Sequence, residues 1–316
     1  MNNNPLAART DLISSFIAMD VLERAQELEA QGVDIIHMEL GEPDLPTPEP
    51  IKEAALKALH DDDTHYTHSL GKIELREEIA RYYWNKYKVS ISPDQIIITS
   101  GTSPALLLIL SILIDPGQNV ILPDPCYACY PNFIRFLGGT PLCIPVYEKD
   151  GFKFRPATVT ENITPLTKAV LVNSPSNPCG TVFTAEDYRA LSEAGTNIIS
   201  DEIYNGLVYE GQEHTILQYT PNAFVLNGFS KLYAMTGWRL GYLIAPRQFI
   251  RPMQKIQQNL FICASSFAQE GGIAALRECE VHVEQMRWIY DERRRFVLQR
   301  LHEMSIATQV DPTGAF

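Results

Sequence analysis

Four side chains that can do chemistry follow short apolar runs of the chain: an amide, a carboxylate, a phenol and a primary amine. An amine can act as a nucleophile or a base, a carboxylate can hold a proton or a cation, and the other two donate hydrogen bonds. Short continuous apolar runs are typical of buried parallel strands, and the ligands of open parallel sheets lie beyond the carboxyl ends of those strands. The sequence therefore predicts one polar site at that edge, formed by Asn177, Asp201, Tyr204 and Lys231.

Two further features fit a bound phosphate. Arg239 follows Lys231 by eight residues, and its planar guanidinium suits phosphate recognition. The segment 99–103, rich in Ser, Thr and Gly, follows an apolar run and precedes a helical pattern, so backbone N–H groups and the positive end of a helix would face an anion. Taken alone, this segment is better explained as a helix N-cap. With two cations expected at the same edge, a phosphate site becomes the better explanation.

The elements that must position these residues alternate between strands and helices, which predicts an α/β fold with a mainly parallel sheet covered by helices. Further helices are predicted over 19–30 and 281–304, the second followed by a new strand at 306–310. Runs typical of buried strands occupy 96–98, 119–122, 169–172, 197–199, 223–226 and 241–245, and helical patterns such as 104–114 and 185–194 separate several of them.

Composition and charge exclude several classes of protein. The 316 residues are 45% hydrophobic and 20% charged, which is the balance of a globular protein with about two domains. The net charge of −12 argues against nucleic acid as a main partner. The longest apolar run, 105–114, is about half of what a bilayer requires, and no leader pattern opens the chain. We therefore expect a soluble, cytoplasmic protein without a membrane partner.

The six cysteines do not form the pattern of a disulfide scaffold. Cys126 and Cys129 make an isolated CxxC pair, and no second pair of ligands lies nearby in the sequence. Because a zinc site needs such a second pair, neutral thiols in a loop are the favoured interpretation, and no metal site is predicted.

With these residues in view, the chain resembles the class I/II aminotransferases, which depend on pyridoxal 5′-phosphate (PLP) and have the aspartate aminotransferase fold, also called PLP fold type I. The matches run through nearly the whole chain in family order, so they support one another although each alone is weak. They are LGEPD from Leu40, Tyr66, LR from Leu75, TSG from Thr99, PDPCY from Pro123, SPSNPCG from Ser174, SDEIY from Ser200, SK from Ser230 and WRLG from Trp238.

The resemblance implies a domain organisation. It implies an N-terminal arm and small-domain segment over 1–45, and a large PLP-binding domain over 46–278 with a seven-stranded, mainly parallel sheet. A connecting helix and the start of a second, small α+β domain are expected over 279–316. Family members continue past this point with the arginine that holds the substrate carboxylate, so we expect that arginine beyond residue 316 and the small domain to be incomplete in this sequence.

The resemblance also implies roles at the reactive end of the cofactor. Lys231 is expected to form the Schiff base with PLP and then to move the proton between Cα and C4′, a task that suits an amine of lowered pKa. Asp201 is expected to pair with the pyridine nitrogen and keep it protonated. Tyr204 and Asn177 are expected to hydrogen-bond the O3′ oxygen, and a cis bond fits the Asn177-Pro178 turn.

Other roles are implied around the phosphate and the ring. The resemblance places Gly101, Thr102, Ser103, Ser230 and Arg239 near the phosphate, and Tyr127 flat on the cofactor ring. Tyr66 is expected to reach the phosphate of a neighbouring subunit in a homodimer, while Gly41 and Asn177 are expected to lie near the substrate. At Gly228 many members have a serine that contacts the phosphate, and the loss of one neutral hydrogen bond costs about 1 kcal/mol.

These features predict a transaminase that moves an amino group from an L-amino acid to a 2-oxo acid in two half-reactions. A carbon–sulfur lyase or another β-eliminating enzyme of the same fold is the first alternative, and a PLP-binding regulatory domain without activity is the second. The forty residues before Gly41 contain no helix-turn-helix pair and no basic face, which argues against the regulatory alternative. No residue of the sequence singles out the amino acid that is used.

Overall fold

The computed structural model describes residues 6–306 and 308–315 and contains one mixed sheet of seven strands. The strand order is β1-β7-β6-β5-β4-β2-β3, in which only β7 runs antiparallel to its neighbours. The predicted α/β fold with a mainly parallel sheet is confirmed. The strands are β1 (Ile96–Thr99), β2 (Asn119–Asp124), β3 (Thr140–Pro145), β4 (Thr167–Asn173), β5 (Asn197–Asp201), β6 (Ala223–Gly228) and β7 (Gly241–Ile244).

Helices fill most of the connections, as expected where parallel strands follow one another. The α-helices of the described chain are α1 (Ile17–Glu29), α2 (Glu49–His60), α3 (Ile73–Tyr87), α4 (Thr102–Leu113), α5 (Tyr130–Phe136), α6 (Pro156–Asn162), α7 (Ala185–Ser192), α8 (Arg247–Leu260), α9 (Ser266–Glu278) and α10 (Glu280–Glu303).

Two apolar cores cover the two faces of the sheet. One core packs α3, α7 and α9 against one face, and the other packs α4, α5 and α8 against the opposite face. Every residue of β1 and β6 is buried, because side chains of both faces enter a core. This explains why those strands appear as continuous apolar runs in the sequence.

Strand β3 was not among the strands predicted from the sequence. It lies at the edge of the sheet and pairs only with β2. Pro141 and Pro145 interrupt it, and it has one buried residue, Ile144. Proline cannot donate to a strand ladder and is tolerated at sheet edges, so this strand lacks the apolar signature on which the prediction depended.

The antiparallel strand β7 has a direct consequence for the polar edge of the sheet. Strand β6 ends at Gly228 and β7 begins at Gly241, and these two glycines are paired in the ladder. The loop 229–240, which contains Lys231 and Arg239, therefore leaves the sheet and returns to it at the same edge.

The end of the chain corrects one prediction. The described part of 306–310 forms no strand, and the helix before it is α10. The segment after it instead folds back on the large sheet domain, where Gly314 forms an isolated bridge with Val208 and the Thr313 carbonyl accepts the Tyr209 N–H at 2.8 Å. Within 306–310 the Ile306 N–H donates to the Leu301 carbonyl at 2.9 Å and the Gln309 N–H donates to the Glu148 carboxylate at 2.8 Å, so these backbone donors are used outside a strand ladder. The domain boundaries at 45 and 278 stay predictions.

Among the described residues, no helix combines the length and the apolar character needed to cross a bilayer.

Candidate functional site

The carboxyl edge of the sheet brings the predicted polar residues together. Asn173 at the end of β4 pairs with Asp201 at the end of β5, and Thr99 at the end of β1 pairs with Gly241 at the start of β7. Because the parallel strands end in register, the loops that follow them meet above this edge.

Asp201 is a buried carboxylate held by two hydrogen bonds. The Tyr130 hydroxyl donates to Oδ2 at 2.7 Å, and the Ile203 backbone N–H donates to Oδ1 at 3.1 Å. Burial raises the pKa of the Asp201 carboxyl to about 6, against the lowering effect of those two donors. No cation of the described chain pairs with it, so a positively charged ligand group would complete this environment.

Two residues that help to hold Asp201 were not identified from the sequence. Tyr130 is almost fully buried, and its hydroxyl donates to the Asp201 carboxylate. Asn173 donates from Nδ2 to the Asp201 carbonyl at 2.9 Å and accepts the Asn177 N–H at 2.6 Å. Asn173 thus links the loops of two neighbouring strands. Its position at a strand end was a signal that could have identified it.

Asn177 and Tyr204 meet beside this carboxylate. The Asn177 amide donates from Nδ2 to the Tyr204 hydroxyl at 3.1 Å, and the Asn177-Pro178 bond is cis, as the sequence suggested. Burial and then the nearby Asp201 charge raise the pKa of Tyr204 to about 12, whereas the Asn177 contact lowers it. The phenol is therefore neutral near pH 7.

Lys231 lies at the same edge and is partly buried. Its Nζ donates to the Gly41 carbonyl at 2.8 Å and is 5.9 Å from the centroid of the Tyr204 ring. Burial lowers the pKa of this amine, Arg239 lowers it further, and Glu42 opposes them. A lowered pKa increases the fraction of neutral amine, which is the nucleophilic form.

The segment 99–103 leads into a helix start that no side chain caps, so its backbone N–H groups are available to an anion. Gly101 is the N-cap of α4 with a φ of 94°, and no side chain caps the helix there. A Cβ at Gly101 would lie 2.5 Å from Nη2 of Arg239, so only glycine lets the guanidinium approach this backbone. The first helical residues are Thr102 and Ser103, and their N–H groups lie at this N-terminal end of α4.

Gly228, where the resemblance leads one to expect a serine, has a packing explanation. A Cβ there would lie 3.1 Å from the Gly241 Cα and 3.1 Å from the Leu240 carbonyl oxygen. A Cβ at Gly241 would in turn lie 2.7 Å from the Gly101 carbonyl carbon. Three backbone segments thus meet closely at the start of α4, and glycine at 228 serves that approach.

Of the remaining predicted residues, Tyr127 and Ser230 lie near the site and Tyr66 does not contact it. Tyr127 follows β2 and makes edge contacts with the rings of Phe16 and Tyr130, at centroid distances of 5.8 and 5.2 Å. Ser230 is half-buried beside Lys231. Tyr66 is 82% exposed and contributes no contact to this site within the described chain.

The neighbouring cysteines are unbonded. Burial raises the pKa of the Cys126 thiol to about 12, so it is neutral at physiological pH. Among the described residues, no three His, Cys, Asp or Glu side chains come together as metal ligands.

The donor set fits PLP by its chemistry. Asp201, a buried carboxylate without a cation, suits a protonated pyridine nitrogen. The uncapped start of α4, with Arg239 packed against Gly101, suits a phosphate. The amine of Lys231, with its lowered pKa, suits an aldehyde.

Comparison with known protein families agrees with this chemistry. The family described as "Aminotransferase class I and II" matches residues 33–316. A (5-formylfuran-3-yl)methyl phosphate transaminase of Methanocaldococcus jannaschii is 44% identical over 98% of this chain and 83% of the relative. An aspartate aminotransferase of Geobacillus stearothermophilus is 37% identical over 98% of this chain and 81% of the relative.

Solved structures give the same result. An aspartate aminotransferase from Thermus thermophilus with maleate superposes with a TM-score of 0.95 at 36% identity, covering 99% of this chain and 84% of that one. A Methanococcus jannaschii protein, described as similar in its active site to kynurenine aminotransferases, superposes with a TM-score of 0.90 at 43% identity, covering 98% and 83% of the two chains.

Proposed function

Because this chain belongs to the class I and II aminotransferase family, a family of PLP-dependent enzymes, we propose that it transfers the amino group of an L-amino acid to a 2-oxo acid in two half-reactions that use Lys231. The observation that carries this proposal is the position of the Lys231 amine. It lies against the Gly41 carbonyl and near the Tyr204 ring, at the edge where Asp201 is buried without a cation.

At the reactive end, Lys231 has two tasks in this proposal. Its neutral amine, favoured by burial and by Arg239, would be the group that holds PLP covalently through the cofactor aldehyde. When substrate occupies that place, Nζ would serve as the base that accepts the proton of the substrate Cα and delivers it to C4′. The Gly41 carbonyl orients Nζ through the 2.8 Å hydrogen bond.

At the far end of the ring, Asp201 holds a proton on the pyridine nitrogen. PLP, when bound, supplies an electron sink that stabilises negative charge at the substrate Cα. Tyr130 and the Ile203 N–H keep the carboxylate oriented. Tyr204 and Asn177, joined by their own hydrogen bond, are the groups proposed to bind O3′, and Asn177 with Gly41 is proposed to contact substrate.

The phosphate and the ring need binding groups as well. We assign the phosphate to Arg239, Ser230 and the start of α4 at Gly101, Thr102 and Ser103. The assignment is supported by the close approach of the Arg239 guanidinium to Gly101, where a Cβ is excluded. Tyr127 is proposed to cover the cofactor ring, which is consistent with its place directly after β2.

A half-reaction assay tests the proposal. The purified holoprotein is mixed with single amino acids in the absence of a 2-oxo acid, and the spectrum of the bound cofactor and the products are followed. We expect one equivalent of 2-oxo acid per site and a complete spectral change that a 2-oxo acid reverses. Continuous release of ammonia and pyruvate would instead identify a β-eliminating lyase, and bound cofactor without any spectral response would identify an inactive binding domain.

We also propose that the enzyme is a homodimer in which Tyr66 reaches the phosphate of the neighbouring subunit. The proposal is supported by the 82% exposure of Tyr66, which leaves its side chain accessible to a second subunit. Further apolar side chains exposed near it in the sequence are Leu56, Leu59 and Ile73, which suits a covered surface.

Mixed dimers test the position of Tyr66. In a dimer of one Lys231→Ala subunit and one Tyr66→Phe subunit, a tyrosine acting across the interface gives one fully native site. We therefore expect the separated mixed dimer to have about half of the wild-type activity per dimer, with wild-type PLP affinity at that site. Activity no higher than that of the Tyr66→Phe homodimer would show that Tyr66 acts within its own subunit.

A further inference from the structure

Glu202 is a buried carboxyl group that the proposed function does not use. Its side chain is completely shielded from solvent. Oxygen Oε1 accepts hydrogen bonds from the Ser200 hydroxyl, the Thr215 hydroxyl and the Ile216 backbone N–H, each at 3.0 Å. The Asn205 amide approaches Oε2 at 3.4 Å. All four partners are uncharged, which is unusual for a buried acid.

The groups farther out do not supply a positive charge either. Glu213 is close enough to disfavour the ionised form of Glu202, and Lys86 is already paired with Glu213 at 2.6 Å. His214 faces this region through its backbone carbonyl, which accepts from Asn205. The Glu202 charge also raises the pKa values of five phenols on α3, α7 and β7. These are Tyr82, Tyr83, Tyr87, Tyr188 and Tyr242.

The hydrogen-bond geometry suits a protonated acid. A carboxyl oxygen has two lone pairs, whereas three donors surround Oε1. The Ser200 and Thr215 hydroxyls can each turn and accept a hydrogen bond, so a proton on Glu202 has an acceptor at 3.0 Å. Burial raises the pKa of Glu202 to about 8, and Glu213 adds to this, although the donors Ile216, Thr215 and Ser200 oppose it.

Glu202 lies in the turn that contains two of the proposed cofactor-binding groups. It follows Asp201 directly and precedes Tyr204 by two residues. Its backbone N–H donates to the Leu226 carbonyl at 2.8 Å, and its carbonyl accepts the Asn205 N–H at 2.9 Å. The side chain therefore connects this turn to the segment 215–216, which is not otherwise part of the site.

We propose that Glu202 is a positioning residue that works as a neutral acid, tying the turn 201–204 to the segment 215–216 so that Asp201 and Tyr204 are held for the cofactor. This inference rests on the proposed function, because Asp201 and Tyr204 matter only if PLP binds there. Loss of the Glu202 proton at alkaline pH removes a hydrogen-bond donor from this network, so that the turn 201–204 is held less firmly. PLP binding weakens as a result.

The decisive variant is Glu202→Gln, which has the shape and hydrogen-bonding pattern of the protonated acid. We measure the PLP dissociation constant by absorbance titration between pH 6.5 and 9.5 at constant ionic strength. At pH 7 the variant should bind PLP as tightly as the wild type. At pH 9.5 it should bind about fivefold more tightly than the wild type, because only the wild type loses a hydrogen-bond donor of this network.

A second readout needs no cofactor. The folded-state pKa of Glu202 lies above its unfolded value, so the wild type loses stability as the pH rises from about 4.5 through about 8. The urea midpoint of the cofactor-free Glu202→Gln variant should exceed that of the wild type by an amount that grows across this range and is constant above it. A purely space-filling role for Glu202 gives a difference that does not depend on pH.

Two further variants test the same inference. Glu202→Ala leaves the donors of Ser200, Thr215 and Ile216 without their acceptor, and should raise the PLP dissociation constant at least about tenfold at pH 7. Glu213→Gln keeps Glu202 but removes a charge that raises its pKa, so the alkaline weakening should remain and move to lower pH.

Three outcomes would overturn the inference: a Glu202→Gln protein that does not fold, one that folds but binds PLP at least tenfold more weakly at pH 7, or one with the same alkaline weakening as the wild type. Absence of amino transfer in the wild type would contradict the proposed function and leave these binding measurements interpretable. If the wild type binds no PLP, the cofactor-free urea series still decides whether Glu202 is held neutral.

Discussion

Replacing Lys231 with alanine should lower the rate of amino transfer at least about 10³-fold, because the variant loses both the nucleophile and a proton-transfer base, and the base alone contributes about 10² to 10⁴. The variant should still bind PLP through the proposed phosphate-binding residues and Asp201. The bound PLP should then be removable by dialysis and should lack the absorption band of covalently attached cofactor.

Two matched variants separate the causes. Lys231→Arg keeps a cation at this position but cannot form the covalent link, so it should be as inactive as the alanine variant. Lys255→Ala removes an exposed lysine of α8 and should leave the rate and the spectrum unchanged. If the absorption band persisted in the Lys231→Ala protein, another amine would have to be the attachment site.

Replacing Asp201 with asparagine should give a protein that is more stable without cofactor and yet nearly inactive. Burial raises the pKa of Asp201 to about 6, so the folded protein binds this proton more tightly than the unfolded chain. Stability from the protonated form is present below about pH 4 and is lost as the pH rises through about 6. The shift of about two pKa units corresponds to a cost of about 3 kcal/mol at neutral pH.

Asparagine avoids that cost without changing the shape of the site. Its Oδ1 can accept the Ile203 N–H, and its Nδ2 can donate to the Tyr130 hydroxyl, which can accept as well as donate. Urea unfolding of the cofactor-free variant at pH 7.5 should therefore show a gain of about 1–3 kcal/mol over the wild type. The gain should vanish below about pH 4, where the wild-type carboxyl is also neutral.

Activity should change in the opposite direction. Without a carboxylate to hold the proton of the pyridine nitrogen, the rate of amino transfer should fall by about 10² to 10³, the usual cost of removing one preorganised electrostatic group. A wild-type rate in Asp201→Asn would show that the buried carboxylate does not act on the cofactor. If the Asp201→Asn variant and the wild type had the same free energy of unfolding, burial of the Asp201 carboxylate would not destabilise the fold.

The sheet and the place of the site could be predicted from the sequence because of how buried parallel strands are built. Each of the runs before Asp201 and Lys231 is buried on both faces and therefore continuous in the sequence. The polar residues after such runs fall at one edge as a matter of topology. Strand β3 could not be predicted in this way, because its outer position removes the apolar pattern and permits proline.

The supporting residues were harder to predict, for a physical reason. The contact between Tyr130 and Asp201 joins residues 71 positions apart, and nothing around Tyr130 in the sequence distinguishes it from a core aromatic. Glu202 likewise depends on Thr215 and Ile216, which belong to a different segment. Side chains that face the ligand follow a strand-end pattern, whereas those that hold them depend on tertiary contacts.

The antiparallel strand β7 also anchors both ends of the loop that contains Lys231 and Arg239. Because Gly228 and Gly241 are ladder partners, the loop 229–240 is a closed segment whose two ends cannot separate without breaking the sheet. Lys231 lies three residues after Gly228, and Arg239 lies two residues before Gly241, so the paired strands limit how far the two residues can separate. If they bind an aldehyde and a phosphate as proposed, the site selects its ligand by length as well as by charge. Insertions or deletions in this loop should consequently be far less tolerated than in loops that carry only one ligand-binding residue.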